Sequence, residues 1–341
     1  MNFAEWSVWA LAGVFGVATV IVWFAGTHLA RLADTLSAKT GIGQAAMGMV
    51  LLGGITSSPE LAVAVTATLQ GAPMLSVNDV LGSASINILV LAIADVAVGR
   101  GPLTARIPSL SVVMQGVMGI AMFVLVAIST YVSEYAFLGV GIGSWLLVAT
   151  YAVAIRLLVH SRVDDAWRPA DGRRENDESQ EDSRSLARLV TLIALAGMAI
   201  LIAGFLLART GEALAERTGL GTSFFGAVIL GFATSTPEIS TVLEAVRLRR
   251  YTMAISDVFG TYLFNVLILF VVDALHRGGP VLVEAGPFAA TAALLALLLT
   301  AIYLVGMLER RDRAVLRMGY DTIAVLVVYI AGLFALYAQR P

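Results

Sequence analysis

Apolar residues run along this chain in stretches of about 20, separated by short segments rich in charge, glycine or proline. A helix of that length spans the ~30 Å hydrocarbon core of a bilayer. The pattern predicts ten membrane-spanning helices, near residues 8–30, 41–69, 75–98, 107–129, 136–159, 187–208, 220–246, 252–275, 281–306 and 320–338. The second, third, seventh and eighth hold polar and helix-breaking residues deep inside their apolar runs, whereas the others read as plain spans. The first stretch is too long for a signal peptide and lacks its flanks, so it is read as a span. An all-α polytopic membrane protein is the expected fold class.

Composition narrows the chemistry. Of 341 residues, 58% are hydrophobic and 13% charged, against about 25% charged in a soluble domain. There is no cysteine, which excludes disulfides, thiolate metal sites and cysteine nucleophiles, and there are only three histidines. Any bound metal must be held by oxygen, and no cofactor is expected. A net charge of −2 gives no reason to expect a nucleic-acid partner; the expected partners are inorganic cations and the lipid bilayer.

Charge also sets an orientation. With the N-terminus outside, 18 of the 22 lysines and arginines fall in inner segments, leaving only Arg209, Arg217, Arg277 and Arg340 outside. The positive-inside rule therefore places both termini outside, in the cell (inner) membrane of a bacterium or archaeon. One hydrophilic segment, residues 161–186, carries eight acids between Asp164 and Asp182 and reads as a cytoplasmic loop joining two halves, 1–160 and 187–341.

The halves share a pattern at a constant offset, without gaps. Over 53–95 and 231–273, Gly53 pairs with Gly231, Thr56 with Thr234, Ser57 with Ser235, Pro59 with Pro237 and Glu60 with Glu238; Asp79 pairs with Asp257, Gly82 with Gly260, Asn87 with Asn265 and Asp95 with Asp273. Chance likeness between apolar segments would match Leu, Val and Ala instead. Each half has five spans, an odd number, so the second copy starts on the opposite side of the membrane. Two inverted five-helix repeats with interrupted helices at matching positions point to a secondary transporter with a midplane site.

On a helix, Gly53, Thr56, Ser57 and Glu60 form a single polar stripe, as do Gly231, Thr234, Ser235 and Glu238. Pro59 cannot donate to the carbonyl of Ile55, nor Pro237 to that of Ala233, so each break is expected to free a carbonyl oxygen beside a glutamate. In the following helices, Asp79, Ser83 and Asn87 share a face, as do Asp257, Thr261 and Asn265. Brought together, these residues make a hard-cation site. Calcium takes 6–8 oxygen ligands in adaptable geometry, which favours it over magnesium, and sodium or protons would serve as counter-ion. A carboxylate at a helix centre costs roughly 2.5–3.5 kcal/mol on insertion scales, which argues against a duplicated pair without a purpose. The blander readings are that the hydroxyls bond their own helix backbone, that Asn87 and Asn265 join helices, and that Asp79 and Asp257 either cap helix starts or carry ions or protons. Asp95 and Asp273 read as interfacial anchors; Glu244 and Glu284 have no assigned role.

These residues resemble the calcium/cation antiporter superfamily, which includes sodium/calcium exchangers. The resemblance rests on Thr56-Ser57-Ser58-Pro59-Glu60 with Gly82-Ser83-Ala84-Ser85-Ile86-Asn87, and on Thr234-Ser235-Thr236-Pro237-Glu238 with Gly260-Thr261-Tyr262-Leu263-Phe264-Asn265. It implies that Glu60 and Glu238 are central calcium ligands, assisted by Asn87, Asn265, Thr56, Thr234, Ser57, Ser235, Ser83 and Thr261, and that the first and sixth spans slide as gates. It implies Ca²⁺/Na⁺ exchange, with Ca²⁺/H⁺ exchange the alternative and a cation channel or intramembrane enzyme further off. This chain departs from the family pattern at Ile55 and Ala233, where glycine is usual, and at Asp79, Ala84, Asp257 and Tyr262, where asparagine is. It also carries Asn265 where some sodium-coupled members have aspartate.

Overall fold

The computed structural model describes residues 6–98, 103–106, 109–132, 135–160, 184–215, 231–309, 314–315 and 318–339, together with Val228. The hydrophilic segment lies almost wholly outside the described residues, as does most of 220–230 in the seventh predicted span. Among the described residues, eight helices are long and apolar enough to cross a membrane, and Ile142–Leu158 is a shorter apolar helix. The protein is a multi-span helical membrane protein.

The first helix, α1 (Val8–Thr40), runs well past the predicted end at residue 30. Nothing in Arg31 to Thr40 breaks a helix, and the chain stops only where Gly41 takes a left-handed conformation with φ +71°. The second span is interrupted, as its proline and glycines suggest. It proceeds through α2 (Gln44–Ala46), a π-helical stretch at Met47–Leu52, α3 (Gly53–Thr56) and α4 (Ser58–Leu69). After it come α5 (Pro73–Val98), α6 (Leu110–Ser129) and, behind a two-residue hairpin β1/β2 (Ala136–Phe137 and Val140–Gly141), α7 (Ile142–His160).

The second half repeats this plan with α8 (Leu186–Ala215), α9 (Gly231–Thr234), α10 (Thr236–Arg247), α11 (Tyr251–Leu275), the short α12 (Val281–Glu284), α13 (Gly286–Glu309), hairpin β3/β4 (Ala314–Val315 and Met318–Gly319) and α14 (Tyr320–Ala338). The hairpins pair Ala136 with Gly141 and Ala314 with Gly319, positions related by the same offset that carries Gly53 to Gly231. Helices α5 and α11 form the buried centre, with fully covered Val80, Leu81, Ile88, Leu91, Val258, Phe259 and Leu263. By contrast, α1 and α8 pack on each other and leave Trp9, Val17, Phe24, Leu195 and Ile202 exposed, an apolar surface suited to lipid.

Asp95 and Asp273 are not interfacial anchors. Both are buried, at 1% and 0% exposure. Asp273 accepts hydrogen bonds from Val281 N at 2.7 Å, Gly141 N at 2.9 Å and the Ser144 hydroxyl at 2.6 Å. Asp95 accepts from Leu103 N, from Gly319 N at 2.8 Å and from the Thr322 hydroxyl at 2.8 Å. The repeat offset turns each partner set into the other. Asp95 thus ties the last turn of α5 to the start of α14, and Asp273 the last turn of α11 to the start of α7.

Candidate cation site

The interrupted helices meet the central pair through glycine. A Cβ on Gly53 would lie 2.6 Å from Thr261 N, and one on Gly231 would lie 2.9 Å from Ser83 N. Gly260 is as tightly placed, its Cβ position 2.4 Å from Met49 Cα. The backbones are therefore in contact at two equivalent crossings, which only glycine permits. Gly53→Val is expected to remove folded protein from detergent extracts, read as loss of the monodisperse peak in size-exclusion chromatography, because the nearest atoms at this crossing are backbone and cannot swing aside.

Around these crossings the predicted polar residues come together. The hydroxyls of Thr56 and Thr261 lie 3.1 Å apart and those of Ser83 and Thr234 3.2 Å apart, the same pairing seen from each half. Ser57 and Ser235 sit at the helix interruptions, with ψ of 0° and 6°, and Pro59 and Pro237 follow in the first turn of the next helix, where a missing N–H costs nothing. That placement puts Glu60 and Glu238 in the first turn as well, where the positive end of the helix dipole favours a carboxylate. The interruption is a kink and not an unwound segment: Ser57 N still donates to Gly53 O at 3.1 Å, and Leu61 N to Ser57 O at 3.1 Å.

The sequence predicted a free carbonyl at Ile55, and here the structure differs. The Ser58 hydroxyl donates to Ile55 O at 2.6 Å. A side chain next to the proline thus satisfies the oxygen that the proline leaves unpaired.

Glu60, Glu238, Asn87, Asn265, Ser57 and Ser235 are all fully buried, and neither carboxylate oxygen of either glutamate, neither amide atom of either asparagine, and neither serine hydroxyl has a hydrogen-bond partner in the protein. The Thr234 hydroxyl stands beside Glu60 and the Thr56 hydroxyl beside Glu238. The two carboxyls are close enough to interact electrostatically; Asp79 adds its field at Glu60 and Asp257 at Glu238. Among the described residues no three His, Asp or Glu side chains gather as a metal cluster, so the centre offers two carboxylates with neutral oxygens around them. Buried polar groups without partners are rare in native proteins because each costs desolvation energy. Here they fall at matching positions of the two repeats, on the interrupted helices and on the central helices that those cross.

Asp79 and Asp257 are the seventh residues of α5 and α11, too far from the helix starts to cap them. Their surroundings differ between halves. Asp257 Oδ2 accepts from the Thr241 hydroxyl, while the position equivalent to Thr241 is Val63. Two helices with exposed apolar faces pack over the interruptions: Gly26 of α1 abuts Ser240 and Pro237 O, and Gly204 of α8 abuts the Pro59 ring. Gly26 and Gly204 are themselves equivalent positions of the repeat.

Comparison with known proteins gives a consistent result. The family model described as sodium/calcium exchanger protein matches residues 10–160 and 188–338, two ranges in the same register as the internal repeat. The chain belongs to the sodium/calcium exchanger protein family and is a membrane transporter, not an enzyme. It is 25% identical over 268 residues to the inner membrane protein YrbG of Escherichia coli (strain K12), covering 78% of this chain and 79% of that protein. Solved structures of the sodium-calcium exchanger NCX_Mj share the fold. One, soaked with 2.5 mM Na⁺ and 0.1 mM Sr²⁺, superposes with a TM-score of 0.71 at 15% identity, over 96% of this chain and 99% of that one. Another, soaked with 10 mM Na⁺ and zero Ca²⁺, gives a TM-score of 0.71 at 16% identity, over 97% and 100%.

Proposed function

We propose that this protein is a secondary antiporter that exchanges Ca²⁺ for Na⁺ by alternating access, with Glu60 and Glu238 as the central cation ligands. Its architecture would be ten spans in two inverted repeats, 1–160 and 187–341, joined by the hydrophilic loop, with both termini outside. The observation that carries this reading is the set of buried oxygens without hydrogen-bond partners on Glu60, Glu238, Asn87, Asn265, Ser57 and Ser235, at matching positions of the two repeats, with Glu60 and Glu238 within electrostatic reach of each other. With the hydroxyls of Thr56, Thr234, Ser83 and Thr261 beside them, they offer the neutral and anionic oxygen mixture that calcium takes, and an Na⁺ ion can use the same donors. Cation occupancy offsets the paired carboxylates and lets α1 and α8 pass across a less charged surface; an empty, doubly charged centre resists that passage, which enforces exchange over leak.

Exchange of calcium for protons is the second reading, favoured by the flanking acids Asp79 and Asp257. The two separate in proteoliposomes. An outward Na⁺ gradient at equal pH is expected to drive ⁴⁵Ca²⁺ accumulation, and an outward proton gradient without sodium is expected to drive none. Accumulation under the proton gradient alone would replace sodium by protons as the coupling ion. Accumulation under neither would overturn calcium antiport.

A further inference from the structure

A cleft of about 440 Å³ opens where three membrane-spanning helices have their ends, outside the candidate cation site. Met74 and Asn78 in the first two turns of α5, Glu284 at the end of α12, Pro287 and Phe288 at the start of α13, and Gln339 just past α14 line it. The arginine-rich turn, Arg247 to Arg250, lies at the opposite end of α11. The cleft is therefore at the face that the positive-inside rule assigns to the outside.

The polar groups of this wall are of two kinds. Glu284 brings a half-exposed carboxylate, its Oε2 3.1 Å from His276 Nε2. Asn78 is 4% exposed, and its Oδ1 has no hydrogen-bond partner in the protein. Both are acceptors. Gln339 has its carbonyl oxygen occupied, 3.0 Å from the Thr291 hydroxyl, which leaves its NH₂ as a donor. The cleft thus presents a carboxylate and an amide oxygen to a cationic N–H donor, and an amide donor to an anion. A bare metal ion would not fill a space that holds many waters at about 30 Å³ each, whereas an organic group suits a cleft of about 300–1,000 Å³. The repeat offset carries Glu284 to Arg106 and Asn78 to Ser256, so the duplicated architecture does not itself call for this carboxylate or this amide.

An apolar track leaves the cleft along α13. Pro287, Thr291, Leu294 and Leu298 recur at helical spacing, so a single face of the helix runs from the polar wall into the membrane. Leu294 and Leu298 are exposed on it. From Pro287 to Leu298 the helix rises about 16 Å at 1.5 Å per residue, about half of a ~30 Å hydrocarbon core. A charged and amide-lined wall at the bilayer surface, continuous with an exposed apolar face one leaflet deep, has the two-part chemistry of a phospholipid.

We propose that this cleft binds a phospholipid with a primary-amine headgroup of the phosphoethanolamine type. Its ammonium lies on Glu284 and Asn78 Oδ1, its phosphate on the Gln339 NH₂, and an acyl chain along Leu294 and Leu298. A primary ammonium joins one positive charge to three N–H donors, as lysine does, so a carboxylate and an amide oxygen can share it through charge-assisted hydrogen bonds. A choline headgroup has the charge without the donors, and a glycerol headgroup lacks the charge. Held in this way, the lipid joins the ends of α5, α13 and α14.

Native mass spectrometry of the delipidated full chain, titrated with phosphatidylethanolamine, phosphatidylcholine or phosphatidylglycerol of identical acyl chains, reads the site directly. The parent is expected to retain one phosphatidylethanolamine with at least about tenfold preference over either other lipid. Glu284→Gln keeps the side-chain shape, removes the charge and is expected to abolish that preference. Gln339→Ala, a substitution at an exposed position, is expected to weaken phosphatidylethanolamine and phosphatidylcholine alike by about threefold, since both carry the phosphate. Equal retention of the three lipids by the parent, an undiminished preference in Glu284→Gln, or unchanged affinity in Gln339→Ala would overturn the site. Displacement of the lipid by soluble phosphoethanolamine at equal concentration would overturn the lipid as its occupant in favour of a free amine. Binding is read on protein that transports nothing, so failure of calcium exchange would strike the functional reading alone.

Discussion

Glu60→Gln and Glu238→Gln are each expected to reduce ⁴⁵Ca²⁺ exchange in proteoliposomes at least about 100-fold, and at the same time to raise the melting temperature of the cation-free protein. The two effects have one cause. Both glutamates are wholly buried, interact with each other, and have no hydrogen-bond partner in the protein. Removing a charge that lacks compensation relieves a desolvation penalty of several kcal/mol, so the substitution that ruins transport stabilises the empty fold. Saturating calcium should stabilise the parent by a concentration-dependent amount, about 2.7 kcal/mol at a hundredfold excess over Kd, and should leave either variant unmoved. A glutamine variant that exchanges calcium at the parent rate, or that melts below the parent without cation, would remove Glu60 and Glu238 from the centre.

The second large effect lies far from the ions. Asp95→Ala withdraws the acceptor from Leu103 N, Gly319 N and the Thr322 hydroxyl at once. Each buried donor so stranded costs about 1–3 kcal/mol, and the total destabilisation should reach at least about 3 kcal/mol. Asp95→Asn keeps one acceptor oxygen and turns an amide donor towards the remaining N–H or O–H groups, so about half that loss is expected. Asp273→Ala and Asp273→Asn should follow the same order, through Val281 N, Gly141 N and the Ser144 hydroxyl. Thermal unfolding followed by intrinsic fluorescence in detergent checks the ranking. Equal melting of all four variants and the parent would show that these bonds contribute nothing net.

Much of the architecture was legible because the membrane leaves few options: lengths of apolar runs give the spans, and polar side chains within them stand out against a nearly uniform background. The stripe from Thr56 to Glu60 and its copy from Thr234 to Glu238 could be placed on helix faces by spacing alone, and the structure sets Thr56 against Thr261, Thr234 against Ser83 and Glu60 within electrostatic reach of Glu238. Other features depended on partners distant in the chain. Asp95 near a span end reads as an anchor unless Gly319 and Thr322 are known to sit against it, 224 and 227 residues away. The extension of α1 beyond residue 30 brings Arg31 and Asp34 onto ion partners in the other half of the chain, which no local window reveals. At Ile55 the backbone rule was sound, but the rotamer of Ser58 decided where the carbonyl's hydrogen bond went. A signal for the aspartates was nevertheless present. Their partner positions repeat at the same offset as the aspartates, so extending the repeat comparison beyond residue 95 would have shown Leu103 with Val281, Gly141 with Gly319 and Ser144 with Thr322.

The crossed fastening by Asp95 and Asp273 also constrains the order in which the chain becomes complete. During synthesis the third span enters the bilayer when the donors that Asp95 needs from Gly319 and Thr322 have not yet left the ribosome. The first half therefore waits with an unfilled acceptor oxygen until α14 arrives, whereas Asp273 meets Gly141 and Ser144 already in place. Neither half completes the bonds of its own aspartate, so residues 10–160 and 188–338 made apart are each unfinished and complete one another only when they meet in the same membrane.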